Sequence, residues 1–340
     1  MRRRSVLLAA VPAGLVTLAA CGDDKSDSSK ASASPSPSPS PSGSASAAPP
    51  PKIVGGPLPA ITAGTKFDEK PTVAKGPGDP SANLAVKTVI AGGGKTVAEN
   101  DFVQANYLGQ IWATAKVFDN SYDRGTPLVL QLAQGGVIDG WRYALAGRKV
   151  GSRVLMAVPP TWGYGKSGNS QAGIKGSDTL VFVVDLLNSF NSKSSAQGKA
   201  VAQSDAALPK VGTNTNGEAP SIGIPKSDPP KELVSNYVLE GDGAEVKAEQ
   251  TILCQFKGVV WDGGKTFEQT YGSGRLSQFS VGQMQQIIKG LAQGVTGKKI
   301  GSRVLIVVPP ELGYGDTPPS GGVIKKGATL VFSVDILAAM

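Results

Sequence analysis

Histidine is absent from all 340 residues, and cysteine occurs only at Cys21 and Cys254. Without an imidazole there is no Ser-His or Cys-His nucleophile and no His metal ligand. Two cysteines allow at most one disulfide and no Cys-rich metal site. Most hydrolase and metalloenzyme chemistry is thereby excluded, and no cofactor is expected. Aromatic residues are only 6% of the chain and apolar residues 40%, enough for one or two modest cores. Glycine and proline are plentiful instead, with 44 and 25 copies, so turns and linkers should occupy much of the length. That length favours two domains. The 34 basic and 26 acidic side chains give a formal charge of +8. They form no basic stripe interleaved with aromatics, so nucleic acid is not an expected partner.

Three arginines open the chain, an apolar stretch follows from Val6 to Ala20, and small residues lead into Cys21. This is the layout of an export signal over 1–20, and its apolar part is short for a membrane span, which needs about 20 residues. Leu18-Ala19-Ala20-Cys21 resembles a bacterial lipobox, so the expected product is a protein held by a lipid on Cys21 at the outer face of the bacterial cytoplasmic membrane. An ordinary signal peptide is the alternative. Arg3-Arg4-Ser5-Val6-Leu7 also resembles a weak twin-arginine signal, which leaves the export route open. Residues 21–78, Ser/Pro/Ala-rich at first and sparse in hydrophobics later, read as a disordered tether. Residues 191–227 read as a second linker.

Between these segments the chain repeats itself. Residues 84–190 match 233–340 at an offset of 149, which becomes 150 after one insertion near 283. Asp79-Pro80 answers Asp228-Pro229, Gly151-Ser-Arg-Val-Leu155 answers Gly301-Ser-Arg-Val-Leu305, and Gly163-Tyr-Gly165 answers Gly313-Tyr-Gly315. So long a period means tandem domains, placed at 79–190 and 228–340. Within the first copy, Val103, Ala105 and Tyr107 alternate with polar residues, as do Leu128, Leu130 and Leu132, and Val154, Met156 and Val158, the period of half-buried strands. Leu180 to Leu187 is a nearly continuous apolar run, suited to a central strand. One helix is expected over Val137–Ala146, where Val137, Trp141 and Leu145 share a face and Gly147 supplies a stop. Each copy is therefore α+β, one sheet with one short helix laid on it. Cys254 replaces Ala105 of the first copy and reads as a small core hydrophobe.

Tyr107, Phe118, Asp119, Val137, Ile138, Trp141, Tyr164 and Phe182 stand out as candidate site residues, though many of them could simply be core. Asp119 directly follows an apolar run, and Tyr164 lies between two glycines after Pro159-Pro160, where no core residue is needed. The series Tyr107-Leu-Gly109, Val117-Phe-Asp-Asn-Ser121, Val137-Ile-Asp-Gly-Trp141, Pro159-Pro160 with Gly163-Tyr-Gly165, and Thr179-Leu-Val-Phe182 resembles the FKBP-type peptidyl-prolyl cis/trans isomerase domain. Both copies carry it over essentially their whole length. The resemblance implies a curved antiparallel sheet wrapped around a short helix. It implies that Trp141 is the floor under a proline ring, with Tyr107, Phe118, Leu130, Val137, Ile138 and Phe182 as walls. Asp119 would accept a hydrogen bond from Tyr107, the Ile138 N–H and the Tyr164 hydroxyl would hold substrate carbonyls, and Ile174 would cover the site. Leu128 stands where the family usually has an aromatic wall.

The second copy departs further, with Phe256 for the tyrosine, Glu268 for the aspartate, Leu291 for the floor tryptophan and Ser277 for a wall residue. Phe267, Phe279, Ile287, Ile288, Tyr314, Ile324 and Phe332 are kept. The expected activity is prolyl isomerisation on proline-containing segments of exported proteins, carried mainly by the first copy, in a monomer. Macrolides are possible ligands of the same pocket. The alternative is a surface-tethered peptide-binding module in which one or both domains bind without significant turnover.

Overall fold

The computed structural model describes residues 50–282 and 287–340. The expected signal, the lipidation site Cys21 and the tether up to residue 49 lie outside the described residues. Strands β1 (Ile53–Val54), β2 (Ile61–Ala63) and β3 (Thr72–Val73) form an arm ahead of the first domain. That domain is built from β4 (Leu84–Ile90), β5 (Phe102–Ile111), β6 (Val117–Asn120), β7 (Leu128–Gln131), α1 (Asp139–Leu145), β8 (Arg153–Val158) and β9 (Leu180–Phe190). The second arm holds β10 (Lys199–Ala200), β11 (Lys210–Val211) and β12 (Ile222–Gly223). The second domain follows with β13 (Val234–Glu240), β14 (Thr251–Val260), β15 (Thr266–Gln269), β16 (Ser277–Ser280), α2 (Lys289–Val295), β17 (Arg303–Val308) and β18 (Leu330–Ala339).

The first sheet runs β1-β4-β8-β9-β5-β6, with β7 also on β5, and is antiparallel except where β1 joins β4. The second sheet runs β10-β13-β17-β18-β14-β15, with β16 on β14. Strand β9 is central, as its apolar run predicts, and pairs along its whole length with β5. Strand β5 serves β7 with its first half and β6 with its second. Two short strands on one edge leave a gap in the wall of the sheet, and α1 closes the concave side behind it. The helix is a residue or two shorter at each end than predicted, and Gly147 continues past it with φ of 80°, a conformation only glycine adopts cheaply.

The concave face holds the larger core of each domain. In the first, Val103, Val154, Met156, Val184 and Leu186 meet Ala144 and Leu145 of α1. In the second, Cys254 is fully buried among Ile252, Val304 and Val334 and forms no disulfide among the described residues. Burial pushes its thiol well above the ordinary range. A thiolate-directed reagent will therefore leave Cys254 unmodified in the native chain and react in stoichiometric amount once denaturant is added; reaction before unfolding would contradict this packing.

Two sequence-based expectations are corrected on the convex face. Residues 53–76, expected to be disordered tether, are folded: Val54, Leu58, Ile61 and Val73 pack on Ala85, Leu108, Trp112, Leu155 and Val183. Residues 199–224, expected to be linker, do the same in the second domain, where Leu208, Val211, Ile222 and Ile224 cover Val259, Trp261, Leu305 and Val331. The physical reason lies beneath each arm. Arg153 pairs with Asp185 through contacts of 2.7 and 2.6 Å, both side chains 0% exposed. The same guanidinium donates to the carbonyls of Gly64 and Glu69 in the arm. Arg303 pairs with Asp335 at 2.6 and 2.8 Å and donates to the carbonyls of Gly212 and Asn214, both at 2.8 Å. The repeating unit is thus an arm plus a domain, and it begins well before the Asp-Pro markers.

The two domains touch. Val129 and Phe190 pack with Leu253, Leu337 and Ala338, and Phe102, Leu276 and Met340 close around them.

Candidate functional site

The first domain brings its predicted residues together at the gap between β6, β7 and α1. Tyr107, Trp141, Ile174 and Phe182 are buried, and Phe118, Leu128, Leu130, Val137 and Ile138 pack against them partly exposed. Trp141 stands edge-on to Tyr107 and Phe182, with ring centroids 5.4 and 5.3 Å apart. Phe118 meets Phe182 edge-on at 5.7 Å. Such perpendicular pairs fix ring orientation beyond mere burial. The Trp141 indole N–H has no partner among the described residues.

Glycine at 109 permits this arrangement. A Cβ there would lie 2.7 Å from the Phe118 ring and 2.8 Å from the Phe182 ring. Gly109→Ala must push both rings out of register, at an overpacking cost of about 1–3 kcal/mol. The near-UV circular dichroism of these rings should change with the far-UV spectrum unchanged; an unaltered near-UV signal would mean that the rings are not held in place by the strand.

Polar groups gather at the mouth. Tyr107 donates its hydroxyl to Asp119 Oδ2. Arg124 donates to Asp119 Oδ1 and, at 3.1 Å, to the Tyr107 hydroxyl oxygen. Arg124 was missed by sequence reasoning; the available signal was a basic residue in the β6–β7 turn that becomes Ser273 in the second copy. Burial, and then the bond to Asp119, push the Tyr107 phenol up, so it remains a donor throughout the neutral range. The Ile138 carbonyl accepts from the Trp141 N–H at 3.0 Å, while its own N–H has no hydrogen bond among the described residues. Tyr164, 38% exposed, follows the turn Pro160–Trp162 at the rim. Its phenol is raised by burial and by the charge of Asp119.

The arm also reaches this site. Asp68 accepts from Asn106 Nδ2 at 2.6 Å, Asn106 Oδ1 accepts from the Ser121 hydroxyl at 2.7 Å, and Ser121 Oγ accepts from the Tyr107 N–H at 2.9 Å. Lys70 pairs with Asp123 at 2.6 Å, next to Arg124.

The second domain keeps the apolar cluster and loses the polar one. A space of about 200 Å³ is lined by Phe256, Phe267, Glu268, Phe279, Ile287, Ile288, Leu291, Tyr314 and Phe332, with Ser277 and Gln278 at its edge. Ile324, predicted to cover it, lies in the adjoining core. Phe267 meets Phe332 edge-on at 5.5 Å, as their counterparts do. With Phe256 for tyrosine and Ser273 for arginine, Glu268 makes no ion pair among the described residues.

Each sheet, closed by one helix over a cluster of aromatic side chains, belongs to an α+β class whose apolar recess can enclose an apolar group. The sequence profile of the FKBP-type peptidyl-prolyl cis-trans isomerase family matches residues 93–187 and 243–337. The FK506-binding protein of Streptomyces anulatus is 37% identical over 36% of this chain and 97% of its own. The FKBP-type peptidyl-prolyl cis-trans isomerase FkpA of Escherichia coli is 40% identical over 37% of this chain, which spans 44% of that protein. The peptidyl-prolyl cis-trans isomerase FKBP9 of Mus musculus is 27% identical over 74% of this chain, which spans 38% of its length. Among solved structures, FkpA from Escherichia coli aligns over 32% of this chain and 47% of that one, at 33% identity and a TM-score of 0.28. The chain belongs to the FKBP-type peptidyl-prolyl cis-trans isomerase family, with two domains of that family in tandem, and its enzyme class is that of the family.

Proposed function

We propose that the first domain carries the turnover, on X-Pro bonds of exported proteins folding outside the membrane, with the chain anchored through a lipid on Cys21 and acting as a monomer. X-Pro rotation crosses a barrier of about 18–20 kcal/mol set by amide resonance and takes tens of seconds unaided. The twisted amide at the top of that barrier is less dipolar than the planar one, so transfer from water into an apolar cavity favours it. In this reading Trp141 lies under the proline ring, Phe118, Phe182 and the neighbouring aliphatics exclude water, and the Ile138 N–H and Tyr164 hydroxyl hold the substrate's carbonyls. No nucleophile or proton transfer is needed, which accords with a chain without histidine. Macrolides would compete for the same cavity.

The observation that carries the proposal is the hydrogen-bonded cluster of Tyr107, Asp119 and Arg124 beside the rings of Phe118, Trp141 and Phe182, complete in the first domain only. Loss of the tyrosine hydroxyl and the arginine in the second domain, where only the carboxylate survives as Glu268, favours a second role there, capture of proline-containing segments with little turnover. Tethering the two clefts in one chain raises the effective concentration of a captured segment at the first. In the full chain, Phe118→Ala should remove most isomerase activity toward a short proline peptide and Phe267→Ala very little. Comparable losses from the two substitutions would sink the division of labour. Cys21→Ala should shift the protein from the membrane to the soluble fraction; unchanged membrane association would overturn the lipid anchor.

A further inference from the structure

We infer that the second cleft selects proline-containing segments in which a lysine or arginine adjoins the proline. The inference rests on the reading of that domain as a peptide-binding cleft and adds the chemistry of its ligand. In the first domain the carboxylate at the mouth is answered twice, by the Arg124 guanidinium and by the Tyr107 hydroxyl. In the second, Glu268 lines the cavity with neither partner, because Ser273 and Phe256 stand in their places. Arg275, two residues along the same turn, makes no ion pair among the described residues.

The surrounding positive charge is lost with it. The cavity opens on a cleft of about 550 Å³ whose charged lining is Lys289, Glu311 and Asp316. Asp316 is 3.3 Å from Lys326, so Glu311 and Lys289 remain. Their counterparts in the first domain are Thr161, Lys166 for Asp316, and Asp139, which is paired with Arg142 at 3.0 Å. With the residues of each mouth taken together, the first rim carries one surplus positive charge, from Lys166 beside the paired Asp119–Arg124 and Asp139–Arg142, whereas Glu268, Glu311 and Asp316 balance Arg275, Lys289 and Lys326 in the second. The Glu268 carboxylate, lining an apolar hole without the partners its counterpart has, complements a cation next to a ring. The longer glutamate reaches further toward such a cation than aspartate would, and Leu291 in place of Trp141 leaves a deeper floor.

The test uses the full chain with isoleucine methyl groups labelled for NMR, so that Ile287 and Ile288 report the second cleft while Ile138 and Ile174 report the first. The probes are two short peptides that differ only in lysine or glutamate before the proline. At low salt the lysine peptide should shift the Ile287 and Ile288 signals with an affinity about fivefold higher than the glutamate peptide. That preference should vanish in Glu268→Gln, and also in about 0.5 M salt, where screening acts within roughly 4 Å. Equal affinities at Ile287 and Ile288 would overturn the charge selection while leaving peptide capture intact. No shift there with either peptide would remove the binding role of the second cleft altogether, and the inference with it.

Discussion

Asp185→Asn will destabilise the first half of the chain by about 3–5 kcal/mol, the usual cost of leaving one member of a buried ion pair without its partner. Arg153 is 0% exposed and cannot turn to water. Its other donors already serve the carbonyls of Gly64 and Glu69, and Asp185 also accepts from the Tyr122 hydroxyl at 2.9 Å and the Asp68 N–H at 2.8 Å. Neutralising that carboxylate therefore loosens arm, sheet and β6–β7 turn together. Thermal or urea unfolding followed by circular dichroism will show an early transition for this half. Asp335→Asn should do the same to the second half through Arg303. Replacing both members, Arg153→Met with Asp185→Leu, should recover much of the loss, since no uncompensated charge remains. A single substitution that leaves unfolding unchanged would mean that the arms are held by their apolar contacts alone.

Trp141→Ala will cost the first domain both stability and turnover. Its ring is 3% exposed and touches two other aromatics, so truncation leaves a cavity worth about 3–5 kcal/mol. In the proposed mode of binding the floor under the proline goes with it, and loss of some 1.5–3 kcal/mol of apolar contact corresponds to about a 10- to 100-fold fall in kcat/KM. Trp141→Leu separates the two effects. Leucine occupies the same place in the second domain, where Leu291 is buried against Phe332 and Ile306 in an intact core. This variant should unfold close to wild type and still lose activity. Full activity in Trp141→Leu would show that the deeper floor of the second domain is no barrier to turnover there.

Much of the pocket was legible because its residues sit in short local patterns. Tyr107 alternates with polar neighbours on β5, Phe118 and Asp119 adjoin on β6, and Trp141 shares a helical face with Val137 and Leu145. Strand and helix periods bring such residues to one side of the sheet whatever the rest of the chain does. The tandem repeat, the strand-rich character of each copy and the central place of Leu180–Leu187 follow from the same local regularities. So does the exclusion of imidazole chemistry, which composition alone decides.

Tertiary structure decided what no local pattern encodes. The arms contain strands of two or three residues with scattered apolar side chains, which resemble linker in composition. They are ordered because a buried guanidinium about ninety positions along the chain takes their carbonyls, and a contact at that separation has no sequence period. Arg124 likewise lies in a turn whose residues look solvated until β5 and β6 bring Tyr107 and Asp119 to it. The contact between domains depends on Phe102, Phe190, Leu276 and Met340, each apolar residue unremarkable alone and joined only when two sheet ends meet. Local sequence sets which face of an element is apolar; which distant group satisfies a backbone carbonyl or a lone carboxylate is settled only when the chain has closed on itself.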